Sequence, residues 1–220
     1  MSWSLGVSDL RDLARGAALL GTGGGGDPYV GRLLVEQGLA GTGRITMLAP
    51  DDLDDDAFVI PVALMGAPTV MVEKLPSGRE TLTALRALER RLGRTADAIM
   101  PVECGGINSM IPLALATQTG LPVVDADGMG RAFPELQMET FGVYGVSACP
   151  MAVSDSDGST AIIETGRFNP IGTWIGIYFL NTGIFGLELT GVAPWVSDVF
   201  YGGVLVIAVT VSTVLHRRST

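Results

Sequence analysis

Three carboxylates stand where apolar runs end, and that placement suggests chemistry. Glu103 follows the run 98–102, while Asp125 and Asp127 follow the run 121–124. Two carboxylates two residues apart at a strand end can share one face. Asp125 and Asp127 therefore suit a hard divalent cation such as Mg²⁺, or a general base beside an orienting acid, or an Asx-turn that only caps the strand. Glu103 precedes Gly105 and Gly106, which allow close backbone approach. Upstream, Gly23, Gly24, Gly25 and Gly26 can turn successive amides one way and cradle an anion or a carbonyl oxygen. The plainer reading of that run is a flexible joint between helices. Lys74, beside Glu73, is placed to neutralise a developing anion, or forms only an ordinary exposed pair. Cys104 is a nucleophile or a small buried filler, and no nearby histidine activates it.

The elements that must position these residues read as alternating helices and strands. Ser8 precedes a helical apolar spacing at Leu10, Leu13, Ala14 and Ala17. A second helical pattern over 29–37 follows Pro28, so the glycine run joins two helices and follows no strand. Residues 44–48 and 57–65 read as strands, the second apolar enough to be buried on both faces. Residues 81–92 and 109–117 read as helices, and 98–102 and 121–124 as further strands. Strand, helix and strand with short joins predict an α/β fold with a mostly parallel sheet and flanking helices. Ligands of such sheets sit outside the C-terminal strand ends. The loops after 102 and 124 are therefore expected to share one crevice, faced by the glycine run. The acidic run Asp51–Asp52 and Asp54–Asp56 reads as a solvated turn.

Composition excludes several classes. A net charge of −9 in 220 residues leaves no basic footprint for nucleic acid. The one histidine, His216, lies at the far end of the chain. No Ser-His-Asp triad, Cys-His pair or histidine zinc site can be built in the first 165 residues. Two cysteines, Cys104 and Cys149, make no disulfide framework, which fits a cytoplasmic soluble part. The N-terminus shows no secretory leader.

Several long motifs carry a resemblance. They are residues 21–28 (GTGGGGDP), 65–70 (MGAPTV), Glu73-Lys74, 103–108 (ECGGIN) and 125–135 (DADGMGRAFPE). Over about residues 9–158 the chain resembles the N-terminal domain of the S-methyl thiohydantoin desulfurase family. Members continue into a second domain. The resemblance implies hydrolysis of a small cyclic imide-like ring, in which water attacks the carbon bearing the S-methyl group and methanethiol leaves. Glu103, Asp125 or Asp127 is then the expected base. The amides of residues 23–26 are the expected donors, with Asn108 and Lys74 among the substrate-binding positions. Expected partners are a small-molecule substrate and either a separate second domain or further copies of the chain.

Residues 166–220 read as a second piece. After Arg167 only Glu188, Asp198, Arg217 and Arg218 are charged. The uncharged stretches 168–187 and 199–215 approach the roughly 17–25 residues that a membrane-crossing helix needs. They predict a two-helix membrane hairpin, both ends cytoplasmic by the positions of Arg167, Arg217 and Arg218, tethering residues 1–165 to the lipid. The tail from about 170 to 218 resembles the last two segments of a ribose-type sugar importer permease, which implies a recombined or fused gene.

Overall fold

The computed structural model describes residues 2–22, 24–66, 77–133 and 135–164, and in the tail 178–179, 181–183, 185–187, 196, 199–200 and 202–204. The chain divides into two units, Met1–Gly166 and Arg167–Thr220.

The first unit is built on five strands: β1 (Trp3–Leu5), β2 (Ile45–Leu48), β3 (Val59–Val62), β4 (Ala98–Pro101) and β5 (Val123–Val124). Their order is β1-β2-β5-β4-β3. β1 runs antiparallel to β2, and the other pairs are parallel. Four helices accompany them: α1 (Leu10–Leu20), α2 (Pro28–Thr42), α3 (Glu80–Leu92) and α4 (Ile111–Thr119). α3 carries the chain from β3 to β4, and α4 from β4 to β5, as parallel pairing requires. The expected α/β class with a mostly parallel sheet is observed.

Period-two alternation sends the strand side chains to two unlike faces. Ile45, Met47, Ile60, Val62, Ile99 and Val123 join Leu10, Val35, Leu39, Leu85 and Leu115 of the helices in the main core. Ala98, Met100 and Val124 point the other way. They pack with Leu48, Leu53, Val59, Ala126 and Phe141, none of which belongs to these four helices. The four α-helices thus cover one face, and loops with the 3-10 helix Thr140–Tyr144 cover the other.

Helix positions follow from local chemistry. Asp27 accepts the Tyr29 amide at 2.9 Å and Pro28 occupies the first turn of α2. A Cβ on Gly31 would lie 2.6 Å from the Met110 Cβ, and one on Gly38 would lie 2.1 Å from the Thr117 Oγ1. These two glycines, seven residues apart on one side of α2, let it press close against α4. α3 and α4 end at Gly93 and Gly120, both left-handed.

β3 departs from the expected strand buried on both faces. It lies at the sheet edge, paired with β4 alone, and Pro61 faces solvent. An edge tolerates a residue without an amide proton. Three-residue β1 and an antiparallel hairpin, β6 (Met151–Ser154) with β7 (Thr160–Ile163), are additions to the expected set.

In the second unit, 178–179, 181–183, 185–187, 199–200 and 202–204 are helical. Phe179 and Gly183, one turn apart, both meet Phe200. The two rings are 6.5 Å apart, and a Cβ on Gly183 would lie 2.4 Å from the Phe200 Cζ. No helix among the described residues is long and apolar enough to cross a membrane. The expected membrane hairpin is therefore unsupported, and most of 168–187 and 199–215 lies outside the described residues.

Candidate functional site

The loops after β4 and β5 are pinned to the sheet and to each other. The Val102 amide donates to the Val62 carbonyl at 3.2 Å, and the Asp125 amide to the Leu48 carbonyl at 2.7 Å. The Gly128 amide donates to the Val102 carbonyl at 3.0 Å. Each of the three expected carboxylates is thus at a C-terminal strand end, on neighbouring strands.

Glu103 is buried and both its oxygens are engaged. Asn108 Nδ2 donates to Oε1 at 2.7 Å, and the Phe133 amide donates to Oε2 at 2.9 Å. Asn108 also accepts the Leu64 amide at 2.8 Å and donates to the Leu64 carbonyl at 3.2 Å. This pair ties the ends of β3 and β4 to the loop after β5. With Glu103 at 6% exposure and Asn108 at 5%, little of either is open to a ligand.

Asp127 is committed through one of its oxygens. Its Oδ2 accepts the amides of Cys104 at 2.8 Å, Met129 at 3.2 Å and Gly130 at 2.7 Å. Burial, then the hydrogen bond to Asp127 and its charge, push the Cys104 thiol up to about 11. The thiol is therefore protonated at neutral pH, the inert state of a packing cysteine.

The glycine run stands beside these loops, and close packing accounts for its composition. The Ile107 amide donates to the Gly25 carbonyl at 2.7 Å, and the Ala132 amide to the Leu20 carbonyl at 3.1 Å. Gly106 has φ +58°, and a Cβ there would lie 2.3 Å from the Gly25 oxygen. A Cβ on Gly25 would lie 2.6 Å from the Gly105 oxygen. Backbone meets backbone here, so no side chain fits. The Gly24 amide is used by the Gly21 carbonyl at 3.1 Å, whereas the Gly25 and Gly26 amides have no acceptor among the described residues. Gly23 and Lys74 lie outside the described residues.

Asp125 differs from its neighbours. It is exposed, and its carboxylate has no partner among the described residues. A fourth carboxylate, Glu139, joins the group unannounced by the sequence. Thr140 donates from its amide and from its Oγ1 to the Gly128 carbonyl, each at 2.8 Å, which seats Glu139 over Gly128. A Cβ on Gly128 would lie 2.6 Å from the Glu139 Oε1. That oxygen is buried without a hydrogen-bond partner. Burial raises the Glu139 pKa, against a backbone hydrogen bond from Phe141. No periodicity marks residues 135–146, so only the folded contact with Gly128 reveals Glu139. Arg131, quoted above only within a motif, donates to the Thr22 carbonyl at 2.9 Å and lies over the Phe133 ring.

No group of three or more His, Cys, Asp or Glu side chains able to hold a metal exists among the described residues. Asp125 and Asp127 alone offer a poor Mg²⁺ shell, since one Asp127 oxygen already serves three amides. A cleft of about 280 Å³ lies on the helix-covered side, lined by Gln37, Leu64, Arg79, Glu80, Thr117 and Gln118 among others, and none of the four strand-end carboxylates reaches it.

The family model for the S-Me-THD-like N-terminal domain matches residues 8–165. The chain belongs to this family. The S-Me-THD-like match stops short of the tail, and nothing supports the expected resemblance of that tail to a sugar importer permease. No curated relative matches the chain. It is similar to a protein from Chromobacterium violaceum of known crystal structure, with TM-score 0.63 and 26% identity. That match covers 82% of this chain and 50% of the other, so this S-Me-THD-like chain spans half the length of the solved protein.

Proposed function

We propose that the first unit supplies the carboxylate half-site of a hydrolase acting on a small cyclic imide-like ring of S-methyl thiohydantoin type. The supporting observation is a division of labour among four strand-end carboxylates. Both oxygens of Glu103 and the Oδ2 of Asp127 are taken by hydrogen bonds, whereas Asp125 is exposed with no partner among the described residues and Glu139 keeps a buried oxygen without a hydrogen-bond partner.

In this reading Asp125 takes a proton from water, which attacks the ring carbon bearing the S-methyl group. Electron density moves onto the adjacent ring nitrogen, and the Gly25 and Gly26 amides donate to the developing charge. The tetrahedral carbon then re-forms a carbonyl as the carbon–sulfur bond breaks. Glu139, whose pKa burial raises, gives its proton from its neutral form to the leaving sulfur. The hydroxyl proton of the tetrahedral carbon passes to the ring nitrogen, methanethiol leaves with the proton of Glu139, and the proton held by Asp125 is lost to solvent while Glu139 regains one. Glu103 and Asn108 hold the loops in place and take no part in proton transfer, which revises the expectation that Glu103 is one of the candidate bases.

The half-length match favours a second reading, in which the chain alone binds the ring without turning it over. Methanethiol release from an S-methyl thiohydantoin by the full chain tests the first reading. A ligand-induced rise in Tm without release supports the second. Membrane attachment of the tail rests on the sequence of 168–187 and 199–215, with Tyr178, Phe179 and Phe185 well exposed. Carbonate extraction of the full chain from cell membranes tests it.

A further inference from the structure

The side of the sheet away from the four α-helices carries the most exposed apolar residues among those described in the first unit. Phe141 packs onto Ala98, Met100 and Val124, while its chain neighbours turn outward. Val143 and Tyr144 are 83% and 84% exposed, and Val146 and Met138 are 58% and 45% exposed. Isolated apolar residues at a surface need no explanation, but four within nine positions make a patch. Tyrosine flanked by aliphatic side chains is also the composition of an interface centre. The same segment carries Glu139, and Thr140 bonds it to Gly128 beside Asp125 and Asp127. Whatever covers the patch therefore lies next to the strand ends.

Two observations identify the occupant. The matching family model describes an N-terminal domain, and half of the similar Chromobacterium violaceum chain lies outside the match. We propose that residues 138–146 dock a second protein domain, the counterpart of that uncovered half, through an apolar face centred on Val143 and Tyr144. Docking closes the open side of the strand-end loops and limits the water reaching Asp125. The inference concerns binding and holds whether or not the ring chemistry above is right.

The probe is the uncovered half of the C. violaceum protein, produced as a separate chain and shown to fold by a cooperative melt. Sedimentation of the full chain with this probe should give a 1:1 complex. Val143→Asp and Tyr144→Ser should each weaken that complex by at least about tenfold without lowering Tm, since both side chains are more than 80% exposed. Val7→Ser, at an exposed apolar position near the N-terminus, should leave it unchanged. A folded probe that does not bind, or a complex indifferent to Val143→Asp and Tyr144→Ser, overturns the proposal. So does a dimer of the full chain alone that these two substitutions dissolve, because the occupant is then a second copy. Binding without methanethiol release would remove the functional reading and keep this one. Release that is insensitive to both substitutions and to the probe would do the reverse.

Discussion

The inner layer of the strand-end loops and their outer rim use the same side-chain chemistry for opposite purposes. In the inner layer, Glu103 spends both oxygens and Asp127 its Oδ2, on Asn108 and on four backbone amides. Nearby, Gly25, Gly105 and Gly106 are in backbone contact. At the rim, Asp125 and Glu139 sit on the same loops with oxygens left over. A carboxylate in a site is thus not evidence of catalysis by its type alone. What separates the two layers is whether the acceptor capacity has already been used.

If the inner layer is structural, damage there should unfold the protein first. Glu103→Ala leaves Asn108 and the Phe133 amide without their buried acceptor, and should cost about 3–5 kcal/mol in urea unfolding of the full chain. Gly106→Ala, forced into φ +58° with its Cβ 2.3 Å from the Gly25 oxygen, should cost about 2–4 kcal/mol. A Glu103→Ala protein that melts like the wild type would erase the distinction between layers.

The rim should respond to pH instead. Folding raises the Glu139 pKa above its ordinary 4.5, so its neutral form favours the folded state. That contribution is complete below the ordinary value and is lost as pH rises through the raised one. Glu139→Gln keeps the group neutral. The stability gap between the variant and the wild type should therefore shift in favour of Glu139→Gln as pH climbs from 4.5 through that window. Turnover by the wild type should fall over the same window as the acid ionises, and Glu139→Gln should lower it about 10–100-fold. A pH-independent gap would place Glu139 with the inner layer.

Cys104 should give the smallest effect. With its thiol pushed up to about 11, roughly one molecule in 10⁴ carries a thiolate at pH 7. Alkylation by iodoacetamide should be slow, and Cys104→Ala should change turnover by less than about threefold. Rapid labelling that also abolishes turnover would make the cysteine a nucleophile and overturn the rim assignment.

Much of the frame is legible in the sequence, because it follows from periodicity and end signals. Leu10, Leu13, Ala14 and Ala17 announce α1, Pro28 starts α2, and Val123–Val124 ends in the carboxylates. β1 is three residues long, too short to display an alternation, and the β6–β7 hairpin has no buried residue, so its strands lack an alternating buried face. The site was legible as a place and not as a set of roles. Spacing puts Glu103, Asp125 and Asp127 at strand ends, but only tertiary contacts from Asn108 and Phe133 show that Glu103 is spent. Glu139 reaches the group through Gly128, a contact between residues eleven apart in a segment of loops and short 3-10 helices that shows no apolar periodicity. For the tail, apolar length alone predicts a membrane hairpin; no helix among the described residues is long and apolar enough to cross a membrane, and most of 168–187 and 199–215 lies outside those residues.

The division between the layers is tested most directly by one substitution at the rim. Methanethiol release from an S-methyl thiohydantoin should be measured for the full chain and for Asp125→Asn, with the complementary domain supplied to both. The account predicts a loss of about 10²–10⁴-fold, the worth of a general base, with Tm unchanged because Asp125 has no partner among the described residues to lose. Asp125→Asn turning over at the wild-type rate, or a wild type that releases no methanethiol, would contradict it.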